Sequence, residues 1–309
     1  MKKIFLMNCL FLISVHVFSQ WVWQNPLPTG NYLSSVWFTD TITGYIVGAN
    51  GTLLKTIDGG INWSGNDFGK TNSLTSVFFT SANIGYAVGV SGIILKTIDA
   101  GKTWTEKSSG STSSLYSVHF PLVDIGYVVG GTSTHATILK TTDGGETWIT
   151  ILNGTYNSLN AVFFTSANSG IAVGQSGIIL KTTDGGITWT SMPNGTTMSL
   201  NSVTFTNDST GFVVGGNGTI LITHDGGTTW TSKSVPSICW LSFVCFSDTN
   251  TGYTGGYNCG SLFKTIDGGI TWNPISGGPF IELSSIYFSN IHTGYAVGAY
   301  GSIIKTTNG

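Results

Sequence analysis

A chain of 309 residues with 8% charged residues and a net charge of −2 offers no electrostatic surface of the kind that holds nucleic acid or anionic lipid. All twelve basic residues are lysines, so the chain has no planar guanidinium for bidentate capture of a carboxylate or phosphate. Mean hydropathy is positive although Gly, Ser, Thr and Asn fill the connections, which fits small sheets covered on both faces by their neighbours.

Residues 1–19 read as a signal peptide. Lys2 and Lys3 precede an apolar run, and Val17, Phe18 and Ser19 form an acceptable cleavage site before Gln20. The run is too short to span a membrane comfortably, no later stretch approaches one, and Cys9 lies inside it rather than after it. The expectation is a secreted protein, periplasmic, on the outer surface or extracellular, without membrane insertion and free to form disulfides.

From residue 20 to 309 the chain is one array of repeats, each with four strand signals. The first, Leu-x-Ser-Val-x-Phe, starts at Leu33, Leu74, Leu115, Leu159 and Leu200, with looser copies at Leu241 and Leu283. The second, Gly-Tyr-x-Val-Gly, starts at Gly44, Gly85, Gly126, Gly170, Gly211, Gly252 and Gly294. The third ends in Lys-Thr before an aspartate turn, and the fourth begins at the Trp that closes that turn. The turn aspartates are Asp58, Asp99, Asp143, Asp184, Asp225 and Asp267, spaced 41 to 44 residues apart and followed by Trp63, Trp104, Trp148, Trp189, Trp230 and Trp272. Short strands at a period in the forties mean radial repetition. The short carboxylate accepts from nearby N–H groups, glycines supply positive φ, and Trp anchors the outgoing strand.

The two ends complete one another. The last repeat stops at Asn308 and Gly309, inside its turn, while Trp21, Val22 and Trp23 look like the missing fourth strand, comparable to Trp272, Asn273 and Pro274. The reading is an all-β, seven-bladed propeller of four-stranded antiparallel blades, closed by its N-terminal strand, acting as a monomer. The same ending also fits a fragment that once preceded a C-terminal sorting domain.

The aspartate turns resemble the Asp-box, or bacterial neuraminidase, repeat. The whole unit is similar to the photosystem II stability/assembly factor propellers and to exported bacterial proteins of the same blade. That resemblance covers nearly all of residues 21–309 and implies a non-catalytic assembly helper that docks a protein partner. The family docks through a basic, arginine-bearing surface, and this chain has no arginine.

The candidate chemistry is thin. The six turn aspartates are spread one per blade instead of converging. Asp40, Asp124, Asp208 and Asp248 are read as turn formers after the first strand, replaced elsewhere by Asn83, Asn168 and Asn290. Asp67, Glu106, Glu146 and Glu282 remain, with no two at comparable positions in adjoining blades, so the paired carboxylates of a glycosidase are not visible. His119, His135, His224 and His292 are singletons, read as exposed or strand-packed, which leaves no metal site or cofactor to propose. Cys239 and Cys259 fall in connections expected on one face, which predicts a disulfide, with Cys245 a buried thiol.

That same face carries the binding candidates. The residue before the first-strand Leu is Ser in blades two to five, but Trp240, Glu282 and Tyr32 in blades six, seven and one, with Tyr257 and Tyr300 in the adjacent loops. An aromatic arc with one carboxylate suits a protein segment or a glycan, and local packing around the ring seam explains the same residues. A carbohydrate-active enzyme on the same scaffold would need a second carboxyl near Glu282.

Overall fold

The computed structural model describes residues 21–65, 68–151, 156–235, 238–260, 262–275 and 282–309. The signal-peptide reading and Asp67 lie outside the described residues. Seven four-stranded antiparallel sheets form the molecule, and six follow chain order. Blade one runs from Leu33–Phe38 through Gly44–Gly48 and Leu53–Thr56 to Ser64–Gly65. The innermost strands touch one another in an unbroken cycle, from blade one round to blade seven and back. Blade seven combines Leu283–Phe288, Gly294–Gly298 and Ile303–Thr306 with Val22–Trp23 from the other end of the chain. Val22 pairs with Lys305 and Trp23 with Ile304, and the Gln24 N–H donates to the Ile303 carbonyl at 2.9 Å. The ring closes as the sequence predicts.

The innermost motif has a residue-by-residue logic. Leu33, Val36 and Phe38 are buried between blades, and a bulge after Leu33 shifts the register by one. The Val36 N–H, on the free edge of this innermost strand, donates to the Ser285 hydroxyl of the preceding blade at 3.4 Å. The same bond recurs from Val77 to Ser35, Val118 to Ser76, Val162 to Ser117 and Val244 to Ser202. The recurring serine therefore answers the edge-strand amide of the next blade. Gly44 opens the second strand because the Phe38 ring lies across it; a Cβ there would sit 2.5 Å from that ring.

Aromatic stacks glue blade to blade. Each blade's closing Trp meets its own Phe edge-on, at centroid distances of 5.9 to 6.5 Å, and Trp21 takes this place in blade seven against Phe288. On the other side of that Phe lies the second-strand Tyr of the preceding blade. Tyr45, Tyr86, Tyr127, Tyr253 and Tyr295 stack on Phe79, Phe120, Phe164, Phe288 and Phe38 at 3.8 to 4.7 Å. Such pairs contribute about 0.5–1.5 kcal/mol each beyond the area they bury. The Tyr45, Tyr86, Tyr127 and Tyr295 hydroxyls donate to backbone carbonyls in the next blade's aspartate turn. Burial pushes Tyr45, Tyr127 and Tyr295 up to about 12, so they stay protonated donors.

Each aspartate turn is self-satisfied. Asp99 accepts from the Thr97 and Thr103 hydroxyls at 2.8 and 2.6 Å and from the Thr103 N–H at 2.9 Å. Such bonds hold Asp58, Asp99, Asp184 and Asp267 down at about 2, with Asp143 and Asp225 lowered further. The turn is then sealed to the first-to-second-strand turn of its own blade, as by Gly59 N–H to Ile42 carbonyl at 2.8 Å, and the bond repeats in all seven blades. In that neighbouring turn the sequence reading needs correction. Asp40, Asp248 and Asn290 do cap the backbone, but Ser81, Ser166 and Asn207 do so where Asn83, Asn168 and Asp208 were expected. The capping position is two residues after the strand Phe, which places Asp124 two residues beyond it; its backbone carbonyl instead accepts the Gly144 N–H.

The channel holds a collar that the sequence reading missed. Trp37 lies 4.8 Å from Tyr287 and 4.5 Å from Phe78, which leads to His119 at 5.2 Å and Phe163 at 4.8 Å. Thr204 and Cys245 occupy the same strand position in blades five and six. His119 is thus packed within the strand ring, and its desolvation pushes its pKa down to about 4.

Candidate functional site

At the channel end opposite the aspartate turns, the residues before each innermost Leu form the mouth. The strand cycle places Trp240, Glu282 and Tyr32 at consecutive positions there, with Ser73, Ser114, Ser158 and Ser199 completing the ring. Tyr257 pairs directly with Trp240 across the first two strands of blade six, so these rings share one edge of the blade. Both are half-exposed, at 48% and 50%.

Trp240 keeps its place because of a glycine in the previous blade. A Cβ on Gly216 would lie 3.3 Å from the indole, and the corresponding turns of blades one, two, four and seven carry Ala49, Val90, Gln175 and Ala299. The indole lies against the Gly216–Gly218 turn, and the result is a groove of about 460 Å³ between blades five and six. Met198, Asn217, Ile238, Cys239, Trp240, Tyr257 and Asn258 line it, so it is an apolar slot edged by two amides. Met198, Ile238, Asn217 and Asn258 were not among the sequence candidates. The Gly216 and Trp240 coincidence, unique among the repeats, is the signal that could have found them.

A second cluster stands at the seam. The Tyr32 carbonyl accepts the Ala49 N–H at 2.8 Å, and the Glu282 carbonyl accepts that of Ala299 at 2.9 Å. Burial raises the Tyr32 hydroxyl above its ordinary range, and the Glu282 carboxylate adds to this against a hydrogen bond with Ser284. Tyr300 stands at the apex of the blade-seven turn, 80% exposed, with φ of +57°. Asn50, Ser91, Ser176 and Asn217 hold the same left-handed place elsewhere, where short polar side chains are at home and a bulky ring is strained. The structure therefore pairs Trp240 with Tyr257 and Tyr32 with Glu282, as two neighbouring halves of the mouth.

The two cysteines of the expected disulfide, Cys239 and Cys259, are both buried and neighbour one another, and Cys259 Sγ also faces the Trp240 and Tyr257 carbonyls at 3.8 and 3.6 Å. The contact with Cys239, reinforced by burial, raises the Cys259 thiol far above its ordinary value. Burial also pushes Cys245, in the channel wall, up to about 12. Among the described residues, no three of His, Cys, Asp or Glu gather as metal ligands, and no helix is long and apolar enough to cross a membrane.

Comparisons with known proteins place this geometry in a family. The family model for photosynthesis system II assembly factor YCF48 matches residues 13–111 and 108–198, and the chain belongs to that family. Among solved structures it is similar to YCF48 bound to D1 peptide, with 21% identity, a TM-score of 0.77, and 94% of this chain and 95% of that one covered. YCF48 from Cyanidioschyzon merolae gives 23% identity and a TM-score of 0.75 over 93% and 98% of the two chains. A GH74 enzyme from Niastella koreensis shares the fold at 19% identity and a TM-score of 0.74; 93% of this chain is covered but only 53% of that one. No curated protein matches the sequence.

Proposed function

We propose, from membership of the YCF48 family and from the mouth of the channel, that this chain is an exported, non-catalytic binding and assembly module for a protein segment or glycan at the cell surface. The observation that carries the reading is the Trp240–Tyr257 groove, with Asn217 and Asn258 at its edges and Tyr32, Glu282 and Tyr300 beside it. An extended segment laid across the mouth stacks on the aromatic rings and hydrogen-bonds the amides. The strained Tyr300 supports this, since a bulky residue is retained where Asn or Ser is easier. The YCF48 structure with D1 peptide supports the protein arm over the glycan arm.

A glycoside hydrolase needs two carboxyls across one cleft, and Glu282 is the only carboxylate among the seven mouth positions. In an oxidising compartment the touching thiols of Cys239 and Cys259 close into a bridge, passing two electrons and two protons to a small-molecule disulfide that leaves as two thiols. That bridge fixes the floor of the groove. The test captures ligands from native cell envelope and on a glycan array with wild type and with Trp240→Ala plus Tyr32→Ala. Ligands that bind the double variant as tightly as wild type would sink this reading.

A further inference from the structure

The collar in the channel is incomplete. Tyr287, Trp37, Phe78, His119 and Phe163 form an arc of rings over blades seven, one, two, three and four, with neighbouring centroids 4.5 to 5.2 Å apart. Thr204 and Cys245 hold the two remaining places, side by side in blades five and six, and neither carries a ring.

The other blades show what a ring does at this position. It leans over the last phenylalanine of the next blade's innermost strand: Tyr287 over Phe38 at 6.2 Å, Phe78 over Phe120 at 6.1 Å, His119 over Phe164 at 6.5 Å and Phe163 over Phe205 at 5.8 Å. Phe38, Phe120 and Phe164 are accordingly buried. Phe246 and Phe288 follow Thr204 and Cys245, and both are only part-buried. Their other neighbours are in place. Phe246 stacks on Phe212 and meets Trp272 edge-on, and Phe288 does the same with Tyr253 and Trp21. What they lack is the ring on the channel side. Phe205 is part-buried for another reason, since Ile171 stands where the stacking tyrosine of the preceding blade belongs.

We infer that the gap at Thr204 and Cys245 is a pocket for one aromatic side chain, phenylalanine or tyrosine, carried by a partner protein and entering from the aspartate-turn end of the channel. The repeat itself sets the chemistry of the occupant, because it fills this place with an aromatic ring in every other blade. A hydroxyl, a thiol and two part-bare phenylalanines offer no formal charge, so the ring they take is uncharged. Register sets the entrance. Thr204 and Cys245 are next to last in their strands, about 3–7 Å from the aspartate-turn end, whereas Trp240 at the mouth stands roughly 16 Å from Cys245 along the strand. Just outside the gap stand Thr206 and Ser247, small residues whose hydroxyls turn toward the Thr210 and Thr251 carbonyls. A free ring gains little beyond the cost of association, so the ring arrives as the anchor of a longer chain. The site is independent of the ligand at the mouth.

The test titrates p-cresol and the capped tripeptide acetyl-Gly-Tyr-Gly-amide, with acetyl-Gly-Leu-Gly-amide as control, to about millimolar concentration into the whole protein with labelled threonine methyls. Both aromatic probes give nuclear Overhauser contacts from their ring protons to the Thr204 methyl, and the leucine peptide gives none. Thr204→Phe with Cys245→Phe completes the collar and lowers the affinity of the tyrosine peptide, read from its own line broadening, at least about tenfold. Phenylalanine is native to this position in blades two and four. Cys245→Phe alone weakens binding in the same direction, keeps the Thr204 reporter, and serves if the double variant fails to fold. Trp240→Ala with Tyr32→Ala leaves this binding unchanged, which separates its fate from that of the mouth. Absence of contacts from the tyrosine peptide, equal contacts from the leucine peptide, or full affinity after Cys245→Phe overturns the inference. So do contacts from p-cresol without contacts from the peptide, since the pocket then admits a free ring and not a side chain.

Discussion

The junctions between blades seven and one and between blades five and six use the same repeat and are held differently. Where blade seven meets blade one, Tyr295 stacks on Phe38 at 3.9 Å, and its hydroxyl and the Lys305 amine both reach the Gly59 carbonyl at 2.8 Å. Ser284 donates to the Leu33 carbonyl there, and Ser285 accepts from Val36. Where blade five meets blade six, Phe212 stacks on Phe246 at 4.3 Å without a hydroxyl, and Ile222 stands where the lysine would be. The bonds that persist lie on the mouth side: Asn201 to the Leu241 carbonyl, Val244 to Ser202, and the Gly218 N–H to the Cys239 carbonyl at 2.7 Å. The chain runs unbroken from blade five into blade six. Across the seam it is continuous only through the two paired residues Val22 and Trp23. The same tyrosine–lysine staple joins blades one to two and three to four, so the junction of blades five and six departs from the repeat.

The largest test of that contrast removes Trp21, which anchors the closing strand against Phe288 and Tyr253. Trp21→Ala should destabilise the protein by about 3–5 kcal/mol in thermal or urea unfolding. Trp230→Ala in blade five, whose indole is less buried and stands 6.5 Å from Phe205, should cost less.

Acid should break the ring elsewhere first. His119 is lowered from 6.5 to about 4 by burial, so the stability it contributes is whole above pH 6.5 and lost as pH falls toward 4, at most about 3 kcal/mol. The aspartates held at about 2 contribute stability that is present above their unfolded value of 3.8 and disappears as pH falls from there toward 2. His119→Phe, which continues the collar of Phe78 and Phe163, should flatten the first phase of a pH titration of melting temperature and leave the second.

Smaller changes sharpen the comparison. Tyr295→Phe should cost about 1 kcal/mol, because the Gly59 carbonyl keeps its lysine, and Phe212→Tyr should add about as much by installing the missing hydroxyl. Paired unfolding curves check both signs. Tyr300→Asn should stabilise by about 0.5–1 kcal/mol by relieving the left-handed ring, while weakening whatever the mouth binds. A variant more stable and equally tight in binding would remove Tyr300 from the site.

Much of this was legible in the residues. The repeat period, the seven innermost strands and the closure by Trp21 to Trp23 follow from motif spacing alone, because every blade repeats the same local chemistry. The mouth was legible through register: Trp240 and Tyr257 flank the strands that bring them together. The collar was not, since Trp37, Phe78, His119, Phe163, Thr204, Cys245 and Tyr287 share a position but six different residue types, and only a closed channel makes them one feature. Turn capping slipped because Asn83 and Asn168 look like turn formers while the hydroxyls of Ser81 and Ser166 do the work.

Blade seven has a temporal consequence. Its outer strand is made before the six other blades and its other three strands after them, so the sheet cannot form until the intervening blades have been made. Six blades can assemble as they emerge, but Tyr295 and the stack behind it must wait for Val22–Trp23 to meet Ile303–Thr306. Until then the last innermost strands present an open edge that chaperones or other chains can reach, and the rate of that final docking sets how long the young protein stays vulnerable.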